Sequence, residues 1–317
     1  MQETPAEHAA RDVDLHVHTL TSRCGYTSHR RLLELTRAAG RRVVAVTDHD
    51  SAAGGVELRE LAARTGDDVL VLIGMELTTS DFGHVVLFGR GLERDWGWKT
   101  GQPFPRHIPD HWIAIQAHPY RGKVTVRDGR ASAEDLPDPP ARIDAVEVWN
   151  GGDILKKSPG LRGALDDLSR AYIEKHGKIA VASSDGHRPH WVHSFFTRFD
   201  RAIENIDDAI EQLRAGQVTP MASGTAYHAA CTARWQRREI VEWHESGKDW
   251  RAMAAAAGYE PEDAEGRLAL YQQVKGLAGR GATLAEVAGK TGLSIEDAMD
   301  YLGVVEEESE FAAQWRV

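Results

Sequence analysis

The chain of 317 residues holds only two cysteines, Cys24 and Cys231, and lacks any apolar run approaching the roughly 20 residues that span a bilayer. Two thiols far apart, behind a polar opening MQETPAEHAARDV without an export signal, argue against a disulfide framework. The chain therefore reads as soluble and cytoplasmic, with at least one thiol free for other chemistry. A basic surplus is also missing: 48 Asp and Glu against 38 Lys and Arg give a net charge of −10, which disfavours long nucleic acid as ligand. A small anion would need local positive charge. No GxxxxGK[ST] loop and no nucleophile elbow occurs, so triphosphatase and covalent serine or cysteine chemistry fall away.

What is present is an ordinary globular composition, 42% hydrophobic and 27% charged, long enough for one large α/β domain and a smaller appendage. From residue 11 to about 221, β-branched runs alternate with helical stretches, the pattern of parallel strands joined by helices. Strands are expected over residues 13–18, 43–47, 69–77, 84–89, 112–118, 145–149 and 179–184. Helices are expected over 30–39, 55–64 and 161–176, each stopped by a glycine: Gly40, Gly66 and Gly177. Residues 92–109 and the proline-rich 131–140 read as loops that could wall a site. The composition changes near residue 228 to Ala, Glu and Trp without strand signals, dividing the chain into 1–227 and a helical module at 228–317. In the module, TLAEVAGKTGLSIEDAMDYLG has a helix-turn-helix outline, yet its second helix carries Glu296, Asp297 and Asp300. That charge repels phosphate, favouring a packing or dimer-forming cap over a DNA reader.

The chemistry gathers at strand ends. In DLHVH, alternation puts Asp14, His16 and His18 on one side, so that two imidazoles can grip one ion. TDHD supplies Asp48, His49 and Asp50; GMEL supplies Glu76; then come His84, His118 in AHP, and Asp185 and His187 in SSDGH. Singly, Asp48 or Asp50 reads equally as a helix cap, and a buried histidine as a satisfied core residue. Together, so many imidazoles and carboxylates at one mouth of a barrel-like α/β domain call for cations. Arg121 in HPYR and Arg188 in GHR follow ligand positions and suit a two-pronged grip on phosphate, as well as ordinary ion pairs; Arg23 is a third candidate. Trp149 and Trp191 could stack on a ring of the substrate or simply pack.

The motifs DLHVHT, TDHD, GMEL, AHP and SSDGH, in that order, resemble those of the PHP (polymerase and histidinol phosphatase) family over residues 12–225. The stretch HGKIAVASSDGHRP and the helix ending at Gly216 resemble the family's closing segment. The resemblance implies a distorted (β/α)7 TIM-like barrel with two or three divalent ions, zinc, manganese or iron. It further implies that His16, His18, Glu76 and Asp185 hold a first ion, His49 and His187 a second, and Glu76, His84 and His118 a third, with Glu76 bridging. One departure stands out. Where many relatives have an aspartate or, one residue later, a histidine, this chain has Arg23 and Cys24. Cys24 is either a thiolate ligand favouring softer metals or a small buried thiol.

The expected activity is hydrolysis of a small phosphate ester, a metabolite or nucleotide, by a metal-activated hydroxide attacking in line, with Glu76 at the metals and either a metal-bound water or an acid such as Asp48 or Asp50 protonating the leaving group. Two other readings compete. One is exonucleolytic trimming of short oligonucleotides at the same site; the other is a regulatory protein whose helical module engages a partner or a second copy. Stoichiometric metal separates the first two from the third.

Overall fold

In the expected strands, alternate residues are apolar on both faces, as in a sheet covered on both sides. The computed structural model describes residues 9–93, 96–127, 130–154, 159–189, 191–224, 240–241, 243–256, 261–293, 298 and 301–302. It divides into two compact units, Met1–Ile154 with Pro159–Thr225, and a second that takes in Ala226–Val317. In the first, β2 (Val43–Val46), β3 (Leu70–Thr78), β4 (His84–Gly89), β5 (Trp112–Gln116), β8 (Ala145–Asn150) and β9 (Ile179–Ser183) form a six-stranded sheet in the order β2-β3-β4-β5-β8-β9. Alternation sorts their side chains. Val43, Ala45, Leu72, Val86, Phe88, Ile113, Ile115 and Ala145 join one cluster, while Val44, Val46, Ile73, Met75, Val85, Leu87, Ala114 and Val146 join another.

Three helices cover the second cluster: α1 (His29–Ala38), α2 (Ala53–Thr65) and α4 (Pro159–His176), a short α3 (Gly151–Ile154) preceding the last. Ser28 caps α1 through Arg31 N–H, and Gly66 ends α2 in the left-handed conformation. The first cluster is closed off by Ala209, Ile210 and Leu213 of α5 (Ile206–Arg214), whose N-cap Asn205 accepts from Asp207 and Asp208. The motif segment 14–18 lies against both edge regions of the sheet. Ala45 N–H donates to Asp14 and Thr47 N–H to Val17 on one side, and His18 and Gly186 are bonded on the other. The sheet thus curls until its two ends share one segment.

Several expectations need correction. The strands are not all parallel, for β4 runs antiparallel to both β3 and β5. Only residues 79–83 separate β3 from β4, too few for a crossover helix. Of the expected strand 13–18 only Val13 lies in a regular strand, β1 (Asp12–Val13), which pairs with β10 (Phe195–Phe199) in a separate sheet completed by β11 (Val218–Ala222). Residues 131–140 do not form a loop throughout: β7 (Arg130–Ala133) pairs with β6 (Val124–Arg127) as a hairpin.

The second unit contains α6 (Trp250–Ala256), α7 (Pro261–Gly279) and α8 (Leu284–Thr291), with a core that includes Leu268, Tyr271, Val274 and Val287. Proline opens α7 ahead of Glu262 and Asp263, and a Thr283–Glu286 capping box opens α8. Glu296, Asp297 and Asp300 lie outside the described residues, as does Cys231. Among the described residues, no helix is long and apolar enough to cross a membrane.

Tight packing where α2 begins yields a stability test. A β-carbon on Gly54 would lie 2.0 Å from Asp48 Oδ2 and 2.6 Å from Thr19 Oγ1, whereas one on Gly163 in α4 meets nothing within 4 Å. Gly54→Ala is expected to cost about 1–3 kcal/mol in urea unfolding, and Gly163→Ala to be neutral or mildly stabilising. Equal midpoints for the two variants would contradict this packing.

Candidate metal centre

Each strand end contributes through its own geometry. Glu76 lies on the face of β3 that carries Leu72, two turns of the pleat further on, and is fully buried. His84 opens β4, His118 follows β5, and Asp185 and His187 follow β9. Among the described residues, the non-glycine residues with positive φ are Asp50 (53°), His118 (29°), Asp185 (51°) and His193 (68°). Three of them stand in the strand-end motifs, where uncommon backbone conformations re-aim side chains.

The carboxylate of Glu76 meets five imidazoles. Its Oε1 is 2.9 Å from His84 Nδ1 and 3.1 Å from His118 Nε2. Its Oε2 is 3.3 Å from His16 Nε2, 3.2 Å from His18 Nε2 and 3.1 Å from His49 Nδ1. Asp185 Oδ1 faces the same point, 3.4 Å from His16 Nε2 and 3.2 Å from His18 Nε2, and those two nitrogens are 3.1 Å apart. Glu76 Oε2 and Asp185 Oδ1 are buried and accept no hydrogen bond. Ligands at 2.0–2.2 Å from a tetrahedral ion are separated by roughly 3.3–3.6 Å, and these spacings of 3.1–3.4 Å are close to that range, compatible with a ligand set around a cation. The donor set fits divalent metal.

Electrostatics leads to the same conclusion. Burial pushes the Glu76 and Asp185 carboxyls up, but His16 and its neighbours, with Arg121 at Asp185, hold both well below the usual carboxylate range. Burial pushes His16 down, yet Glu76, Asp185 and Glu147 raise it well above the ordinary histidine value. Negative charge thus converges where a cation would sit. His84 and His118 share Glu76 Oε1 but shift oppositely: Glu76 outweighs burial at His84, whereas deeper burial and Arg121 lower His118.

Two further groups of candidate ligands adjoin the first. His18, Cys24, His49 and His187 bring one ligand atom each within 4.8 Å of one another, as do His49, Glu76 and His84. His118 joins the latter region through Glu76, its ring 5.1 Å from that of His84. All nine sequence-derived ligand candidates, His16, His18, Cys24, His49, Glu76, His84, His118, Asp185 and His187, are therefore brought together.

Other candidates are placed differently. Asp48 lies beneath the site, accepting bonds from Thr19 N (2.8 Å), Thr19 Oγ1 (2.7 Å), Ser22 N (3.2 Å) and Ser22 Oγ (2.7 Å). Asp50 is engaged by Thr78 N, Trp98 Nε1 and Thr100 Oγ1. Both carboxylates accept several hydrogen bonds from the framework around the site. Asp14 does not share a side with His16 and His18, for its carboxylate turns to Ser184 N and His193 N. Arg121 does reach the centre, bonded to Asp153, Asn150 and Asp185 Oδ2. Arg188 is buried with its guanidinium 4.4 Å above the Tyr26 ring. Trp149 donates to Asp166 beside Arg170, Trp191 is buried beside His187, and Arg23 is exposed.

One important residue is absent from the sequence-derived set. Glu147, within β8 and buried, accepts from His16 Nδ1 (2.9 Å), His118 N (2.9 Å), Asn150 Nδ2 (2.6 Å) and Ser183 Oγ. By holding Nδ1–H of His16 it turns Nε2 to the cluster, the usual support for a metal-bound histidine. Its only sequence signal is an acid inside an otherwise apolar strand, VEVW.

A model of a family described as PHP-associated matches residues 166–218, which include Asp185 and His187, so the likeness to PHP proteins drawn from the ordered motifs is shown there. An uncharacterised protein of Methanocaldococcus jannaschii is 29% identical over 147 residues, 43% of this chain and 80% of that protein. PsfC from Pseudomonas syringae is 18% identical with a TM-score of 0.49, covering 71% of this chain and 97% of its own. A candidate metal-dependent phosphoesterase from Bifidobacterium adolescentis is likewise 18% identical, with a TM-score of 0.42 and coverage of 67% and 99%.

The support from Glu147 is testable. Glu147→Gln keeps the shape and removes the charge behind His16, and is expected to weaken metal binding about 10–100-fold in competition with a chelator, with circular dichroism unchanged. Unaltered affinity would refute the positioning role.

Proposed function

We propose that this chain is a metal-dependent hydrolase of small phosphate esters, with the two to three divalent ions held by His16, His18, Glu76 and Asp185, by His49 and His187, and by Glu76, His84 and His118. The observation that carries this reading is the pair of buried carboxylate oxygens, Glu76 Oε2 and Asp185 Oδ1, without hydrogen bonds and facing imidazole nitrogens at ligand-to-ligand spacing. When bound, the ions supply Lewis-acid chemistry at a phosphoryl oxygen and make water a nucleophile at neutral pH.

The chain's own residues do the rest. Arg121, kept charged by Asp185 and Asp153, stands beside a cavity of about 190 Å³ that His84, His118, Phe82, Gln116 and Lys123 help to line. In this reading, Arg121 and Lys123 bind and orient the phosphate, and Ser22 and Glu147 fix the orientation of His18 and His16. The curled sheet, with segment 14–18 between its edges, is on the same reading a distorted (β/α)7 barrel. The helical module 228–317 is a separate domain available for self-association.

The test is phosphate release from mononucleotides, bisphosphorylated nucleotides and histidinol phosphate by protein stripped of metal and resupplied with manganese, zinc or iron. Activity that vanishes with chelator and returns with metal is expected. Arg121→Lys, which keeps the charge beside Asp185 but loses the fork, should lower kcat/KM about tenfold, on the order of 1.4 kcal/mol. No metal-dependent release across the panel would sink the proposal.

A further inference from the structure

Three groups of ligand candidates overlap, and one imidazole nitrogen, with a single lone pair, cannot serve two ions. His18 Nε2 already lies 3.1 Å from His16 Nε2 and 3.2 Å from both Glu76 Oε2 and Asp185 Oδ1, while its Nδ1 is 3.2 Å from Ser22 Oγ. His18 is thereby committed to the first group. Of the group His18, Cys24, His49 and His187, three members remain, and the one without a counterpart elsewhere in the centre is a thiol.

We infer that Cys24, as a thiolate, is the third protein ligand of a second ion held with His49 and His187, and that it turns this position towards zinc or iron(II) and away from manganese. The inference deepens the metal-dependent reading above and rests on it.

Placement supports it. Cys24 lies on a turn whose backbone is closed by Leu20 N–H to Thr27, Ser22 N–H to Thr19, Gly25 N–H to Ser22 and Tyr26 N–H to His187. A β-carbon on Gly25 would lie 1.8 Å from the Thr19 carbonyl oxygen, so glycine is needed for the turn to close. Asp48, bonded to Thr19 and Ser22, anchors the turn from below. The thiol is therefore held by scaffold, not by chance collapse. A second feature points into the same place: His49 Nδ1 is itself buried without a hydrogen bond, 3.1 Å from Glu76 Oε2. Without Cys24 the second ion would have two ligands of its own, both imidazoles, beside a share of that carboxylate; with it, three of its own, the number typical of a catalytic zinc site. Thiolate sulfur suits zinc and iron(II), while manganese favours oxygen.

Cobalt(II) reports the bond directly. Full-length protein stripped of metal and titrated with cobalt should develop a near-ultraviolet thiolate-to-cobalt charge-transfer band, and zinc should bleach it. Cys24→Ser should lose the band and one equivalent of metal. Cys24→Asp should regain the equivalent without the band and shift preference towards manganese, which shows that the variants fold and that the position is a ligand. Absence of the band in the parent protein, or unchanged stoichiometry and metal preference in both variants, would overturn the inference. No substrate is present in this titration. A chain inert towards phosphate esters can still show the band, and an active one can lack it, so the two proposals fail separately.

Discussion

A single carboxylate organises this molecule. Glu76 is buried and in contact with five imidazoles, from His16, His18, His49, His84 and His118, and it cannot be there without compensation. Hydrogen bonds satisfy Oε1; Oε2 has none. Those five histidines lie between positions 16 and 118, so the requirement reaches across four strand ends at once. The curled sheet answers it by turning strand termini towards one mouth and leaving the apolar residues of the same strands to two separate clusters.

Around that carboxylate, a layer of polar groups spends its hydrogen-bonding capacity on position. Glu147 holds His16, Ser22 holds His18, and Asp48 holds Ser22 in turn. Asp50 takes donors from Trp98 and Thr100 of the long loop, closing that loop onto the motif that carries His49. Positive φ at Asp50, His118 and Asp185 is the backbone side of the same arrangement. Such conformations persist where surrounding bonds fix them, and His118 N–H to Glu147 and Asp50 N–H to the Glu76 carbonyl are two that do.

Much of this is legible in the sequence because period-2 apolar runs and titratable residues at their ends are local signals. The expected strand at 84–89 matches β4 in both bounds, and the glycine stops at Gly40, Gly66 and Gly177 all have positive φ. What escapes is non-local. Strand direction depends on link length, and the five residues before β4 already allow an antiparallel return that the assumption of helix-linked strands ignores. The β6–β7 hairpin had a signal, Asp-Gly between the paired Arg127 and Arg130, outweighed by the prolines that follow. Strands β10 and β11 contain Arg198 and Pro220, which blur the pattern. Glu147 has no motif at all: an acid in an apolar strand is informative only when its partner, His16, is 131 positions away and known. For Asp48 and Asp50, likewise, a motif shows residue type and not how many donors already point at each.

The central claim, that these side chains converge because cations hold them, is tested most directly by anomalous diffraction from crystals of the protein grown with zinc or iron, measured on either side of the metal edge. The account predicts an anomalous peak enclosed by His16 Nε2, His18 Nε2, Glu76 Oε2 and Asp185 Oδ1, within bonding distance of all four. Ordered side chains in this arrangement with no anomalous density among them, in crystals saturated with metal, would contradict it.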